Sequence, residues 1–362
     1  MYKYLITSAL LFLLLTGCNT PKATIGNATP DDNSSDYTVQ TIAFYNLENL
    51  FDIEDDTSIN DEASPMMEMA EDLRPEVYQK KLTNMARVLR KIGADQTGSA
   101  PAIIGVCEIE NRKVLEDLVN HQLLVDYDYG IEHYDSPDRR GIDVALLYKK
   151  SEFRVNNSQS RRLMIRNLAS GKRVYTRDQL VVSGELNGDE MHFIVNHWPS
   201  RRGGEQRSRP NRVAAAALNK QIIDSLHISN AMAKIITMGD LNDDPTNESV
   251  AVTLNAQKDQ ETVQPQMIYN PYIQMIKEGY NTLAYRDAGN IFDQIMMTYP
   301  LLKKADKEGY FYYKAGIYNP SFMTAKTGQY KGYPLRSFSN NAFTNGFSDH
   351  FPVYVYLIKK VE

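Results

Sequence analysis

Short apolar runs in this chain end, again and again, in Asp, Glu, Asn or His. Thr41-Ile42-Ala43-Phe44-Tyr45-Asn46 leads into Leu47-Glu48-Asn49. Ala102 to Cys107 leads into Glu108-Ile109-Glu110-Asn111, and Met191 to Val195 leads into Asn196-His197. Lys234 to Met238 leads into Gly239-Asp240-Leu241-Asn242-Asp243-Asp244-Pro245, and Phe347-Ser348-Asp349-His350-Phe351 precedes a last run, Pro352 to Leu357. Apolar runs this short, rich in β-branched residues, read as buried strands. A strand is a rigid element, so polar side chains at strand ends are aimed in fixed directions and can meet in one shared site.

Further strands are expected at Val144 to Tyr148, Gln179 to Leu186 and Gly309 to Lys314. Helical spacing appears in Pro75 to Ile92, with Val77, Leu82, Met85, Val88, Leu89 and Ile92 on one face and proline in the first turn. Asn111 to Leu123 and the Ala-rich Val213 to Leu226 read as two more helices, and residues 54 to 74 as a loop. There is no internal repeat. Strands outnumber helices and polar connections separate them, which predicts an α/β or α+β sandwich: two sheets with a few helices outside. The composition, 42% hydrophobic and 23% charged over 362 residues, suits a soluble domain with a sizeable core. The net charge of −5 excludes a global positive field that would gather polyanions, so any such binding must be local.

The first residues read as a leader rather than as fold. Lys3 is followed by an apolar stretch from Tyr4 to Leu15, too short for the roughly 20 residues of a spanning helix. It ends in Leu15-Thr16-Gly17-Cys18, which resembles a bacterial lipobox. The resemblance implies cleavage before Cys18 and a lipid on its thiol; the alternative is a plain secretory signal with an incidental cysteine. The expected organisation is a signal peptide over 1–17, a flexible tether over 18–38 and one catalytic domain over 39–362. The mature protein would be held at a bacterial cell envelope by its lipid, periplasmic or surface-exposed. Cys107, the only other cysteine, sits in an apolar run and is expected to be a buried, inert thiol.

The strand-end residues together are those that Mg²⁺ phosphoester chemistry needs. Mg²⁺ prefers carboxylate and amide oxygens, and a hydrolase also needs a group to take the proton of water and positive charge facing the phosphate. Glu108 and Asp349 suit the metal, Asp240 the water, and His350 the phosphate. Each cluster alone has a plainer reading: Asn46 to Asn49 as a turn, Glu108 to Asn111 as a helix cap, Gly239 to Pro245 as an Asx-rich loop, Asp349-His350 as a surface ion pair. A calcium loop of the EF-hand type is excluded at Gly239 to Pro245, where the required glycine and terminal glutamate are missing.

In that order and context, the motifs resemble the endonuclease/exonuclease/phosphatase superfamily over most of residues 41 to 357. The resemblance implies a four-layered α/β sandwich, with two mixed sheets face to face, helices outside and the site at one edge. Asn46 matches the asparagine that helps position metal or phosphate. Glu108 matches the metal-binding glutamate, with Val-Cys-Glu where Leu-Gln-Glu is usual. Asn196-His197 resembles the Thr-His pair, whose histidine contacts the phosphate or acts as acid. Gly239-Asp240-Leu241-Asn242 matches the Gly-Asp-Phe/Leu-Asn motif, which implies that Asp240 activates water and Asn242 binds a phosphate oxygen. Phe292-Asp293-Gln294 resembles the strand whose aspartate pairs with the last histidine. Ser348-Asp349-His350-Phe351-Pro352 matches the Ser-Asp-His-x-Pro motif, with Asp349 near metal and His350 catalytic. The implied cofactor is Mg²⁺, with Mn²⁺ as the other candidate.

The segment that bears on substrate is His197-Trp198-Pro199-Ser200-Arg201-Arg202-Gly203-Gly204, with Arg207, Arg209 and Arg212 beyond it and Arg161, Arg162, Arg173 and Arg177 nearby in sequence. Guanidinium groups bind phosphate oxygens in pairs, so Arg201 and Arg202 are expected to hold substrate phosphates and to favour nucleic acid, cut by an endonuclease. A solvated charged loop is the plainer alternative. A phosphomonoesterase, a sphingomyelinase-like phosphodiesterase using Gly309-Tyr310-Phe311-Tyr312-Tyr313, and a non-catalytic binding lipoprotein are the competing functions.

Overall fold

The computed structural model describes residues 37–167, 170–285, 288–302, 309–340 and 342–361. The expected signal peptide, Cys18 and the tether up to residue 36 lie outside the described residues. The first strand begins at Tyr37, two residues before the expected domain start at Val39.

The strands of the two main sheets, in chain order, are β1 Tyr37–Leu50, β2 Ile103–Ile109, β3 Tyr129–His133, β4 Asp143–Lys149, β5 Phe153–Arg161, β6 Gln179–Leu186, β7 Asp189–His197, β8 Ile235–Asp240, β9 Ala256–Gln257, β10 Ile268–Tyr269, β11 Asp293–Thr298, β12 Phe311–Ile317 and β13 Val353–Lys360. One six-stranded sheet runs β12-β13-β1-β2-β4-β3, and a seven-stranded sheet runs β9-β10-β11-β8-β7-β6-β5. Both are mixed: β1 and β2 are parallel, as are β7 and β8, while β13 and β11 run antiparallel to β1 and β8. The principal helices are α1 Arg74–Leu89, α2 Arg112–Val119 and α3 Glu205–Ser229.

The layering follows from side-chain alternation along the strands. On β1, Ile42 and Phe44 face the second sheet and meet Phe193, Val195 and Met238 there. Ala43 and Tyr45 point the other way, into a core with Met85 and Leu89 of α1 and Val114 and Leu118 of α2. On the far side of the second sheet, Ile194 and Ile235 pack on Ala215 and Ile222 of α3. The result is helices, sheet, sheet, helix, the expected four-layered sandwich. The central strands are buried on both faces, which is why they read as continuous apolar runs. The sheets come so close that a Cβ on Gly105 would lie 2.7 Å from Sδ of Met238.

One expectation changes. Helix α3 starts at Glu205, eight residues before Val213, because Glu205 and Arg209 pair within the first turn at 2.9 Å. Arg207, Arg209 and Arg212 therefore belong to a helix and not to a basic loop. The aromatic run forms the strand expected of it, with Tyr310 and Tyr312 buried between the sheets and Tyr313 turned out. Among the described residues no helix is long and apolar enough to cross a membrane.

Arg212 on α3 is fully covered and lies 2.7 Å from Asp243, itself covered. Removing one partner of such a pair strands the other in a low-dielectric site. Arg212→Met is expected to lower stability by about 3 kcal/mol or more, read from the urea midpoint.

Candidate active site

The topology gathers the strand-end residues at one edge. Parallel pairing of β1 with β2 sets Asn46 beside Cys107, so Glu108 follows at the same level. Parallel pairing of β7 with β8 sets His197 beside Asp240, and antiparallel β11 begins with Asp293 beside Asp240. Because β13 pairs antiparallel with β1 up to Phe44 and Val353, the Ser348-Asp349-His350 segment enters at that same edge. Close approach of β7 and β8 there requires glycine: a Cβ on Gly239 would sit 2.3 Å from the carbonyl oxygen of Asn196. Gly239→Ala is expected to displace Asp240 from His197 and to destabilise the fold, seen as a drop in both melting temperature and activity.

The side chains close a ring. Asn46 Nδ2 donates to Glu108 Oε1 at 3.2 Å and to Asp240 Oδ2 at 3.1 Å. His197 Nε2 lies 3.8 Å from Glu108 Oε1 and 3.6 Å from Asp240 Oδ2. His350 Nε2 lies 3.9 Å from Asp240 Oδ2, and its Nδ1 is 2.7 Å from Asp293 Oδ2. Ser348 Oγ donates to the carbonyl of Asn46 and accepts the amide of His350, tying the last motif to the first. Asn242 donates its amide to Asp240 Oδ1 at 2.9 Å and Nδ2 to the carbonyl of Trp198 at 3.0 Å. Glu48, Asn49, Glu108 and Asn242 all hold positive φ, between 47° and 59°. Non-glycine residues adopt that conformation at a cost, and here four of them stand at one edge.

The electrostatics separate the groups. Burial and the Asp293 and Glu108 carboxylates push Asp240 up to about 7, against the pull of His350. Burial alone would lower His350, yet Asp293 and Asp240 outweigh it and hold the imidazolium well above the usual histidine range. His197 goes the other way: burial, then Arg177, Arg140 and His350, depress it strongly, so it stands neutral. Its Nδ1 has no hydrogen-bond partner among the described residues.

Asp349 is placed at the rim, 38% exposed, 3.0 Å from Arg336. Arg201 corrects an expectation. Its guanidinium is taken up by protein acceptors: the Asn242 carbonyl at 2.9 Å, Asp243 at 3.2 Å and Asn247 at 2.9 Å, with the Phe292 ring beneath it. It braces the Asp240-Asn242 loop instead of presenting a free fork to substrate. Arg202 is exposed.

Further residues from distant positions belong to the site's frame. Glu48, two residues beyond Asn46, is buried and accepts from Arg336 Nε at 3.1 Å and from the amide of Ser337. Burial and Asp349 raise it to about 7. Lys81 is wholly buried under it, donating to the Leu47 carbonyl at 2.8 Å and Ser337 Oγ at 2.7 Å; burial lowers it to about 8. A lysine between Tyr78 and Met85 on the apolar face of α1 was the available signal. Arg177 donates to the carbonyls of His197 and Trp198 and pairs with Asp138 at 3.1 Å, and Arg140 pairs with the same aspartate.

The donor set tests whether a divalent cation fits. Glu48, Glu108, Asp240, Asp293 and Asp349 bring five carboxylates to one edge; burial first, and then neighbouring carboxylates, raise Glu48 and Asp240. Oxygen donors of this kind suit a hard dication. Cys107 Sγ also approaches His197 and Asp240, but burial keeps its thiol protonated. Of the residues expected to hold the ion, Glu108 and Asp349 bring carboxylates to this edge, whereas Asn46 turns its Nδ2 to Glu108 and Asp240 and its Oδ1 to the Glu48 amide.

Residues 41–359 match the model of the endonuclease/exonuclease/phosphatase family, and the chain belongs to that family. It is thus a phosphohydrolase of a class that works with divalent metal. Solved structures of similar fold include an endonuclease/exonuclease/phosphatase family protein from Bacteroides thetaiotaomicron, 17% identical with a TM-score of 0.52, covering 91% of this chain and 98% of the other. A humanised D. rerio TDP2 is 14% identical with a TM-score of 0.51, covering 88% and 98%. A mannosyl-6-phosphatase of Bacteroides thetaiotaomicron is 17% identical with a TM-score of 0.50, covering 88% and 99%. At these identities the likeness is one of fold. Comparison with curated proteins gave no match.

Proposed function

We propose that the chain hydrolyses phosphodiester bonds of nucleic acid as an endonuclease dependent on Mg²⁺ or Mn²⁺. The observation that carries the reading is the ring of Asn46, Glu108, Asp240, His197 and His350, with Asp293 behind His350. The metal, when bound, supplies positive charge to the phosphoryl oxygens and lowers the pKa of water. Asp240 takes the proton of the attacking water; the bound dication and His350 favour its carboxylate form, which is the form that accepts a proton. As the water oxygen bonds to phosphorus, the bond to the leaving oxygen breaks and its electron pair departs with that oxygen. The His350 imidazolium, oriented by Asp293, faces the charge that accumulates on the phosphoryl group. Neutral His197 sits beside Asp240 to position the phosphate, and Asn242 holds Asp240 through its backbone amide.

With Arg201 committed to the protein, the cations that support a polynucleotide substrate are Arg140, half-exposed and close enough to depress His197, and the exposed Arg202 and Arg207. A phosphomonoester of a small polar alcohol is favoured by a different observation. A cavity of about 590 Å³ is lined by Asn281, Ser321, Thr324, Lys326, Lys331 and Phe351, the last adjoining His350 in the chain. Mannosyl-6-phosphatase shares the fold, which lends that reading some further support. We further propose a lipid on Cys18 that tethers the enzyme to the bacterial envelope, supported by Leu15-Thr16-Gly17-Cys18. Radiolabelled palmitate should enter the wild type and not Cys18→Ser.

Purified enzyme given plasmid DNA, RNA, sugar phosphates and sphingomyelin decides among the substrates. Plasmid nicking with Mg²⁺ or Mn²⁺ and none in EDTA is the expected result. Turnover of the monoesters with DNA untouched would replace the nuclease reading with the phosphatase one.

A further inference from the structure

The loop between β1 and α1 carries carboxylates that the ring does not use. Asp55, Asp61 and Glu62 each bring an oxygen within 4.8 Å of the others. Acidic side chains on a surface loop are common and mean little alone. Asp61 is different because it is wholly buried. Its Oδ2 accepts the amide of Asp56 at 3.0 Å, while its Oδ1 has no hydrogen-bond partner among the described residues. A buried carboxylate oxygen facing nothing is an unusual feature of a native fold and calls for a counter-charge. The surroundings add negative charge: burial first, then Asp55 and Glu62, raise the pKa of Asp61.

We propose that Asp55, Asp61 and Glu62 form a calcium site, separate from the Glu108 centre, with Asp61 Oδ1 as a ligand. The dimensions agree, since oxygens on a calcium shell of radius about 2.3–2.6 Å stand up to about 5 Å apart. A magnesium shell is tighter and demands near-ideal octahedral geometry, which an irregular loop with two exposed ligands meets poorly. Water and backbone carbonyls complete the shell. The ion has a structural consequence. The loop is fastened to the turn at 138–141 by the Asn60 amide, which donates to the Arg139 carbonyl at 2.7 Å, and by Ile59, packed so closely on Gly141 that a Cβ there would lie 2.2 Å from it. That turn supplies Asp138, which holds Arg177 behind His197. Calcium at the loop therefore stiffens the wall behind the catalytic histidine.

Isothermal titration of CaCl₂ into the metal-free protein tests this, alongside melting temperature with and without calcium. The wild type and Glu108→Gln should both bind calcium at this site and melt higher with it. Asp61→Asn keeps the bond to the Asp56 amide, and Asp55→Asn alters only an exposed side chain, so at least one folded variant is assured. Both should weaken calcium binding by about tenfold or more and lose the melting shift. Unchanged binding in those two variants, loss only in Glu108→Gln, or no calcium bound by the wild type would each overturn the proposal. Magnesium bound there as tightly as calcium would overturn the choice of ion.

Discussion

Asp240→Asn will cut hydrolysis by about 10²–10⁴-fold while removing the fall in stability that metal-free wild type shows as pH rises toward neutral. The two effects share one cause. Asp240 is buried among Asp293 and Glu108, and its folded pKa of about 7 stands above the unfolded value of about 3.9. A group whose pKa is raised on folding contributes its full stability below the unfolded value and loses it as pH rises through the folded one. Metal-free wild type should therefore weaken between about pH 4 and 7, and a neutral amide at position 240 removes that slope. The substitution keeps the shape and the acceptor for the Asn242 amide, and it turns an NH₂ toward Asn46 Nδ2, which Asp240 Oδ2 accepts, so the loss of rate is read together with the loss of the pH slope. Loss of rate together with loss of that pH slope separates this account from a merely structural role. Melting curves from pH 5 to 9 in EDTA, beside rates with Mg²⁺, provide the check. A variant with near-normal rate removes Asp240 from the mechanism.

Asp293→Asn will lower activity on the order of 10²-fold at pH 8, and the deficit will shrink toward pH 5. Asp293 lies 2.7 Å from His350 Nδ1 and is the largest influence raising its pKa; what opposes it is burial. Without that carboxylate, burial prevails and the imidazole loses its proton at lower pH. Positive charge facing the phosphate is then present only in acid. The alkaline limb of the pH–rate profile should move to lower pH in Asp293→Asn, whereas His350→Gln should lose activity with no acid recovery. An unchanged limb in Asp293→Asn would show that His350 does not act as a cation.

Most of the layered architecture was legible because its central strands are buried on both faces. Gln179 to Leu186 forms a strand over the residues its apolar run marked. The edge strand Phe153–Arg161 reads Phe-Arg-Val-Asn-Asn-Ser-Gln-Ser-Arg, mostly exposed and polar, so nothing in its composition announced pairing. The start of α3 was hidden by Gly203-Gly204 and by Pro210, which sits inside the helix. In the site, residues carried by contiguous motifs stood out, from Gly239-Asp240-Leu241-Asn242 to Ser348-Asp349-His350. What supports them did not, because support is assembled from distant positions: Arg336 reaches Glu48 across 288 residues, and Lys81 reaches Ser337 across 256. Arg201 shows the complementary limit. Sequence marks a guanidinium near the site, but its direction is set by Asp243 and Asn247, which only the fold brings beneath it.

The most direct measurement is the Mg²⁺ dependence of phosphodiester hydrolysis in EDTA-stripped wild type and Glu108→Gln. Wild type should be inactive without metal and recover along a saturating curve. Glu108→Gln, which keeps a side chain of the same size beside Asn46, should need about tenfold or more Mg²⁺ to reach half its rate. Full hydrolysis by the stripped wild type, or an identical Mg²⁺ requirement in the variant, would contradict a metal-assisted reaction at this ring.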